Sequence, residues 1–172
     1  MNEQTGRQPE MGNRTNIARK SDRELEVTRL FDAPPHIVFK AWSDAEIFRR
    51  WWIPKGLGIE LIGCEMDVRT GGGYRLEFAV GETETMAFHG KYLSVVANER
   101  IVWTNEEEGD GAITTVTFEE QNGKTLLIFH ERYPTQEALE EAIAGSAAGL
   151  PTQLDQLDEL LPTVVQIVAH RA

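Results

Sequence analysis

"VTFEEQNGKTLLIFHERY", residues 116–133, folds back on itself by composition alone. Two runs rich in Val, Thr, Phe, Ile and Leu flank Asn122-Gly123, a pair that accepts the positive φ angles of a two-residue hairpin turn. Side chains alternate along a strand, so Leu127, Phe129 and Glu131 share one face of the second run. Leu126, Ile128 and His130 share the other. Further strands recur at short spacing upstream of this hairpin. "IVWTNEE" runs into the acidic loop 106–111, and "MAFHGKYLSVV" precedes a break at Asn98–Arg100. "YRLEFAV" places Tyr74, Leu76, Phe78 and Val80 on one face, and "GLGIELIGCEMDVR" leads to the turn Thr70–Gly73. These six strands and "ELEVTRLF" (Glu24–Phe31) predict seven. Turns this tight join only antiparallel neighbours, since parallel strands need long crossovers.

Helical signals lie on both sides of the strand run. After the first strand, Pro34 and Pro35 suit a first helical turn, where missing N–H groups cost little. Ile37, Val38, Ala41 and Trp42 then repeat at helical spacing. Ser43 with Glu46 reads as a capping box for a second short helix carrying Ile47, Phe48, Trp51 and Trp52. Pro54 and Gly56 end it. Neighbouring residues on a helix point about 100° apart. Trp51 with Phe48 is therefore expected to seal the helix pair on the sheet, and Trp52 to stand at the rim of a cavity. Late in the chain, Gly145, Gly149 and Pro151 split a helical stretch into 135–144 and a longer piece from about 151 to 161. Leu150, Leu154, Leu157 and Leu161 make one apolar stripe there.

The 172 residues suffice for one domain with a real core. Residues 1–22 are polar and are expected to be a disordered leader. Residues 23–162 form the domain, and 163–172 are a C-terminal extension that either prolongs the helix past Pro162 or frays. With 17 basic against 28 acidic side chains the net charge is −11, which argues against nucleic acid and anionic membrane surfaces as partners. No run approaches the roughly 18 apolar residues of a membrane span. The single cysteine, Cys64, suits a reducing cytoplasm and reads as a small strand hydrophobe.

This order of elements predicts an α+β fold. A seven-stranded antiparallel sheet has a concave face to bury and one substantial helix to cover it. A twisted sheet curls around that helix, the two short helices plug an open end, and the space left over is a mostly apolar cavity.

"RLFDAPPHIVFKAWSDAEIFRRWWIPKG", "MDVRTGGGYRLEF", "FHGKYLSVVANERIVWT" and "VTFEEQNGKTLLIFHE" stand in order at family-like spacing. Over residues 24–161 the chain resembles the activator of heat-shock-protein-90 ATPase homologue family. That family lies within the START-like, birch-pollen-allergen-like helix-grip superfamily. The resemblance implies a helix-grip fold, a curved antiparallel sheet wrapped around a long C-terminal helix. It also implies hydrophobic guests of the kinds the superfamily binds: lipids, sterols, polyketides or flavonoids. Two departures stand out. Gly149-Leu150 occupies the place of a usual Gly-Trp, and Asn105 stands where a Trp commonly ends the "IVWT" strand. Both positions border the expected cavity.

The four histidines, His36, His89, His130 and His170, show no metal-ligand spacing, and neither metal nor cofactor is expected. "RTGGGY" lacks the Lys-Ser/Thr and following helix of a phosphate loop. The expected cavity lining comes from the strands through Tyr74, Leu76, Phe78, Phe88, Tyr92, Trp103 and Phe118. By the resemblance Leu127 and Phe129 join it, and Trp52, Leu150 and Leu154 complete it from the helical side. Glu131 would then point to the cavity mouth, as an orienting acceptor or as a general base with a pKa raised by burial. Three functional readings follow. The first is a cytoplasmic binding module for a small hydrophobic molecule, monomeric or homodimeric. The second is a cyclase or hydrolase using Glu131 or His130. The third is a chaperone-regulating or stress-response interaction module, suggested by the family name alone.

Overall fold

Residues 15–106 and 111–171 are described by the structure, a computed structural model. Strand β1 (Asn16–Ser21) turns into β2 (Glu24–Phe31), followed by helices α1 (Pro35–Ser43) and α2 (Ala45–Phe48). The meander is β3 (Ile59–Met66), β4 (Gly73–Val80), β5 (Glu84–Val96), β6 (Arg100–Thr104), β7 (Ile113–Gln121) and β8 (Lys124–Arg132). Helix α3 (Gln136–Ala144) and a 3-10 turn at Ser146–Gly149 lead into the long helix α4 (Leu150–Arg171). The strands form one antiparallel sheet in the order β1-β2-β8-β7-β6-β5-β4-β3. Asn122 and Gly123 both take positive φ, and β7 and β8 pair without interruption from Gln121↔Lys124 to Ile113↔Arg132.

The sheet has eight strands, not seven, and is open, with β1 and β3 at its two ends. The added strand lies inside the stretch expected to be a disordered leader; residues 1–14 lie outside the described residues. All six side chains of β1 are exposed, so it carries no apolar period. Its order comes from backbone pairing with the edge of β2, in register from Asn16↔Thr28.

The helices also correct the reading in detail. Asp44, not Ser43, caps α2, its carboxylate accepting from the N–H groups of Glu46 and Ile47. Trp51 and Trp52 follow that helix in a turn. Helix α4 continues through Pro162 to Arg171, the first of the two alternatives left open for residues 163–172. Proline there has no N–H for the carbonyl of Asp158. The buried stripe of Leu150, Leu154, Leu157 and Leu161 extends one step further to Val164, which keeps the helix on the sheet beyond the break. No helix among the described residues is long and apolar enough to cross a membrane.

Burial in β2 alternates strictly, with Leu25, Val27, Arg29 and Phe31 on the core face. Arg29 is the exception in kind. Its side chain is 5% exposed and donates from Nη1 to Asp155 and from Nη2 to Asp158 Oδ2 at 3.0 Å, both on α4. Nη1 also reaches Thr15 Oγ1 at 3.1 Å, and the guanidinium carbon lies 5.5 Å from the centroid of the Phe31 ring. A cation inside the core is tolerable only with such partners, because desolvating a lone charge costs several kcal/mol.

Asp155 is 63% exposed and Asp158 36%, so either carboxylate alone resembles a surface pair. Asp155→Asn and Asp158→Asn are each expected to lower stability by about 1 kcal/mol or less. The double substitution leaves the buried cation without a counter-charge and should cost about 3 kcal/mol. Urea unfolding of the four proteins checks this; strict additivity would contradict the clamp.

Candidate functional site

Trp42 of α1 stands at the centre of an aromatic cluster. Its ring lies 4.8 Å from Trp51, 5.9 Å from Trp52, 6.0 Å from Trp103 and 6.2 Å from Phe129 between centroids. Trp51 is fully buried and donates from Nε1 to the carbonyl of Ala41 at 3.0 Å, so it is core. Trp52 is half-buried, stacks on Phe48 at 4.7 Å and borders a recess. The Nε1 of Trp42 is buried with no hydrogen-bond partner among the described residues.

Beside this cluster lie two recesses. The inner one, about 60 Å³, is walled by Trp42, Phe48, Trp52, Met66, Tyr74, Leu76, Tyr92, Ile101 and Trp103. The outer one, about 390 Å³, is bounded by Ile53, Pro54, Leu57 and Ile59 on one side and by Phe129, Glu131, Leu150 and Gln153 on the other. Trp52, Phe88, Trp103 and Asn105 belong to both. Of the residues expected in the lining, Phe78, Phe118, Leu127 and Leu154 border neither recess and are buried in the core. Alternation puts Phe78 and Phe118 on the buried faces of β4 and β7. It does not tell which part of that face another element covers: Phe118 packs under α1, its ring 5.4 Å from Phe39. Asn105, Gly149 and Leu150, which the sequence reading expected to border the cavity, line the outer recess.

A hydrogen-bonded strip runs along one wall. Strand register sets Trp103 opposite Thr114 and Thr114 opposite Glu131. The Tyr74 hydroxyl donates to the Thr104 carbonyl at 2.7 Å and lies 3.4 Å from Asn105 Oδ1. Asn105 Nδ2 donates to the Ala112 carbonyl at 2.8 Å and to Thr114 Oγ1 at 3.1 Å. Thr114 Oγ1 donates to Glu131 Oε2 at 2.7 Å, and the Tyr133 hydroxyl donates to Oε1 of the same carboxylate. Close approach of β5 to β6 keeps this wall tight. A Cβ on Gly90 would sit 2.0 Å from the Thr104 carbonyl oxygen, so only glycine fits.

His130 faces away from the cleft and lies 3.1 Å from Glu24 on β2. The Ser21 hydroxyl and then His130 hold the Glu24 carboxyl below its ordinary value. Glu131 and His130 therefore do not converge. Burial pushes the hydroxyls of Tyr92 and Tyr133 far up, with the negative charge of Glu131 adding to the effect at Tyr133. Burial also raises the thiol of Cys64, which sits 3.6 Å from the sulfur of Met66.

Two residues absent from the sequence reading hold the outer wall in place. Gln156 on α4 donates to the carbonyls of Trp51 at 2.9 Å and Ile53 at 2.8 Å, and its Oε1 accepts from Lys55 N–H at 2.8 Å. Gln153 donates to the carbonyl of Trp52. Loop 51–55 is thus tied, peptide by peptide, to the helix across the cleft. The cue was available: both glutamines fall beside the leucine stripe, where a polar side chain needs a buried partner.

A curved antiparallel sheet gripping a long helix, with an apolar cleft between them, defines a helix-grip domain of the START-like kind. Residues 32–162 match the family described as "Activator of Hsp90 ATPase homolog 1-like protein", and the chain belongs to that family. A crystal structure of a Rhodobacter sphaeroides protein is similar at TM-score 0.77 and 23% identity, covering 87% of this chain and 98% of that one. A solution structure from Staphylococcus epidermidis is similar at TM-score 0.73 and 26% identity, covering 86% and 94%. An AHSA1-like protein from Aeromonas hydrophila is similar at TM-score 0.65 and 19% identity, covering 80% and 92%. No curated protein matches the chain.

Gln156→Leu strands two carbonyls and one N–H, and is expected to lower stability by about 2–3 kcal/mol. Amide exchange should accelerate selectively in residues 51–57; uniform acceleration would contradict a local clamp. The tyrosines give a second test. A phenol whose folded pKa is raised stabilises the fold fully below its unfolded pKa of about 10, and this is lost as pH rises through the folded value. Near-ultraviolet titration should therefore show Tyr92 and Tyr133 ionising only as the protein unfolds in alkali.

Proposed function

We propose that this chain binds a small, largely apolar molecule in the cleft between the sheet and α4. The observation that carries this reading is the outer recess. Its volume of about 390 Å³ lies in the range of small-molecule sites, a few hundred Å³ upward, and its walls are aromatic and aliphatic with a few placed polar groups. Indole and phenyl faces from Trp52, Trp103, Phe88 and Phe129 suit a planar guest, and Asn105, Glu131 and Gln153 supply polar contacts at its edge. A cyclase or hydrolase reading needs a proton donor and acceptor at one place. Glu131 borders the cleft while His130 is turned to the opposite face, so binding asks less of the site than catalysis does. A single half-buried cysteine suits work in a reducing cytoplasm.

The test is a heteronuclear NMR titration with flavonoids, polyketide-like aromatics and lipids. Saturable shifts are expected at Trp52, Phe88, Trp103, Phe129 and Leu150. Leu150→Trp puts a larger side chain into the outer wall and should weaken the best ligand about tenfold or more, since overpacking a well-fitted site costs about 1–3 kcal/mol. Absence of shifts with every compound, or shifts scattered over the convex face, would overturn the proposal.

A further inference from the structure

Resting on that reading, we infer that the guest carries a neutral carbonyl at its leading end, anchored in the inner recess by the Tyr92 hydroxyl. Tyr92 is 5% exposed and borders the inner recess but not the outer one. Its hydroxyl has no hydrogen-bond partner among the described residues. The Nε1 of Trp42, on the same wall, is a second donor without a partner, but packing seals it. The Tyr92 hydroxyl is not sealed, so a guest in the recess can reach it. Other donors there are engaged: the Tyr74 hydroxyl by the Thr104 carbonyl, and Asn105 Nδ2 by Ala112 and Thr114. Trp52 and Trp103 are half-buried and shared with the outer recess, which leaves Tyr92 to mark the closed end.

The anchor is held rigidly. The Tyr92 N–H donates to the Gly72 carbonyl and its own carbonyl accepts from the Gly71 N–H, each at 2.9 Å. Register sets it opposite Trp103, and its ring lies 5.7 Å from that of Tyr74. Burial raises its pKa, so the hydroxyl keeps its proton to give. Orphaned buried donors are rarer in native proteins than under-used acceptors, so the group that completes this site is one that accepts. Among the described residues no charged side chain borders the inner recess. A carboxylate there would lose its hydration with no counter-charge, whereas a ketone loses far less. The inner recess, about 60 Å³, is a few times the roughly 10–15 Å³ that admits one water. It takes a small terminal group, and the apolar body of the guest lies in the outer recess.

Three probes of one shape test this: acetylnaphthalene, isopropenylnaphthalene and naphthoate, titrated by calorimetry into the full chain. The ketone should bind about tenfold or more tighter than naphthoate. Tyr92→Phe removes the hydroxyl alone. It should weaken the ketone about fivefold, the worth of one ordinary hydrogen bond, and leave the isopropenyl compound within about twofold. In the wild type, the acetyl methyl should show nuclear Overhauser contacts to Tyr92 and Ile101 at the closed end. Those contacts decide the matter even if the variant does not fold. Contacts confined to Leu57 and Leu150, equal effects of Tyr92→Phe on ketone and hydrocarbon, or tightest binding of naphthoate would each overturn the anchor while leaving the cleft a binding site. Binding of none of the three overturns both.

Discussion

One helix has to cover one sheet that is too wide for it. The 22 residues of α4 span about 33 Å in length, but a helix with its side chains is only about 10–12 Å across. Eight strands about 4.8 Å apart extend over roughly 34 Å before curvature. Apolar packing alone would let such a helix settle at many angles on the concave face. Specific polar ties fix it instead. Arg29 holds it to β2 through Asp155 and Asp158, and Gln153 and Gln156 hold it to loop 51–55. The width left uncovered becomes the cleft.

The walls of that cleft divide by chemistry. On the α1–α2 side the indoles of Trp42, Trp51 and Trp52 pack edge to face, a geometry that adds attraction beyond simple burial. On the β6–β8 side the Tyr74–Asn105–Thr114–Glu131–Tyr133 strip satisfies polar groups that burial would otherwise penalise. Asn105 borders both recesses and anchors the strip through its hydrogen bonds to Ala112 and Thr114.

Much of the architecture was legible in the sequence because alternation and helical stripes report directly on burial. The hairpin at Asn122-Gly123, the faces of β4 and β8, the tandem short helices and the leucine stripe of α4 all have such a signature. Strand β1 has none, since every side chain in it is exposed and pairing is a backbone matter. The division between Trp51 and Trp52 followed from helical geometry, although Trp51 lies in the turn after α2. Within the lining, periodicity selected the correct face but could not separate Phe88, at the opening, from Phe78, its buried neighbour 5.2 Å away. Arg29 was visible as a charge in the apolar register of β2; its two acidic partners lie more than a hundred residues away and could not be read from local pattern.

The ties at the two sides of α4 have a mechanical consequence. Loop 51–55, the helix and strand β2 form one connected lever, with Gln156 at one end and Arg29 at the other. Moving Trp52 outward to admit a bulky guest either breaks the glutamine bonds or tilts α4 against its ionic tether. Widening the opening is therefore a concerted rearrangement rather than a side-chain rotation.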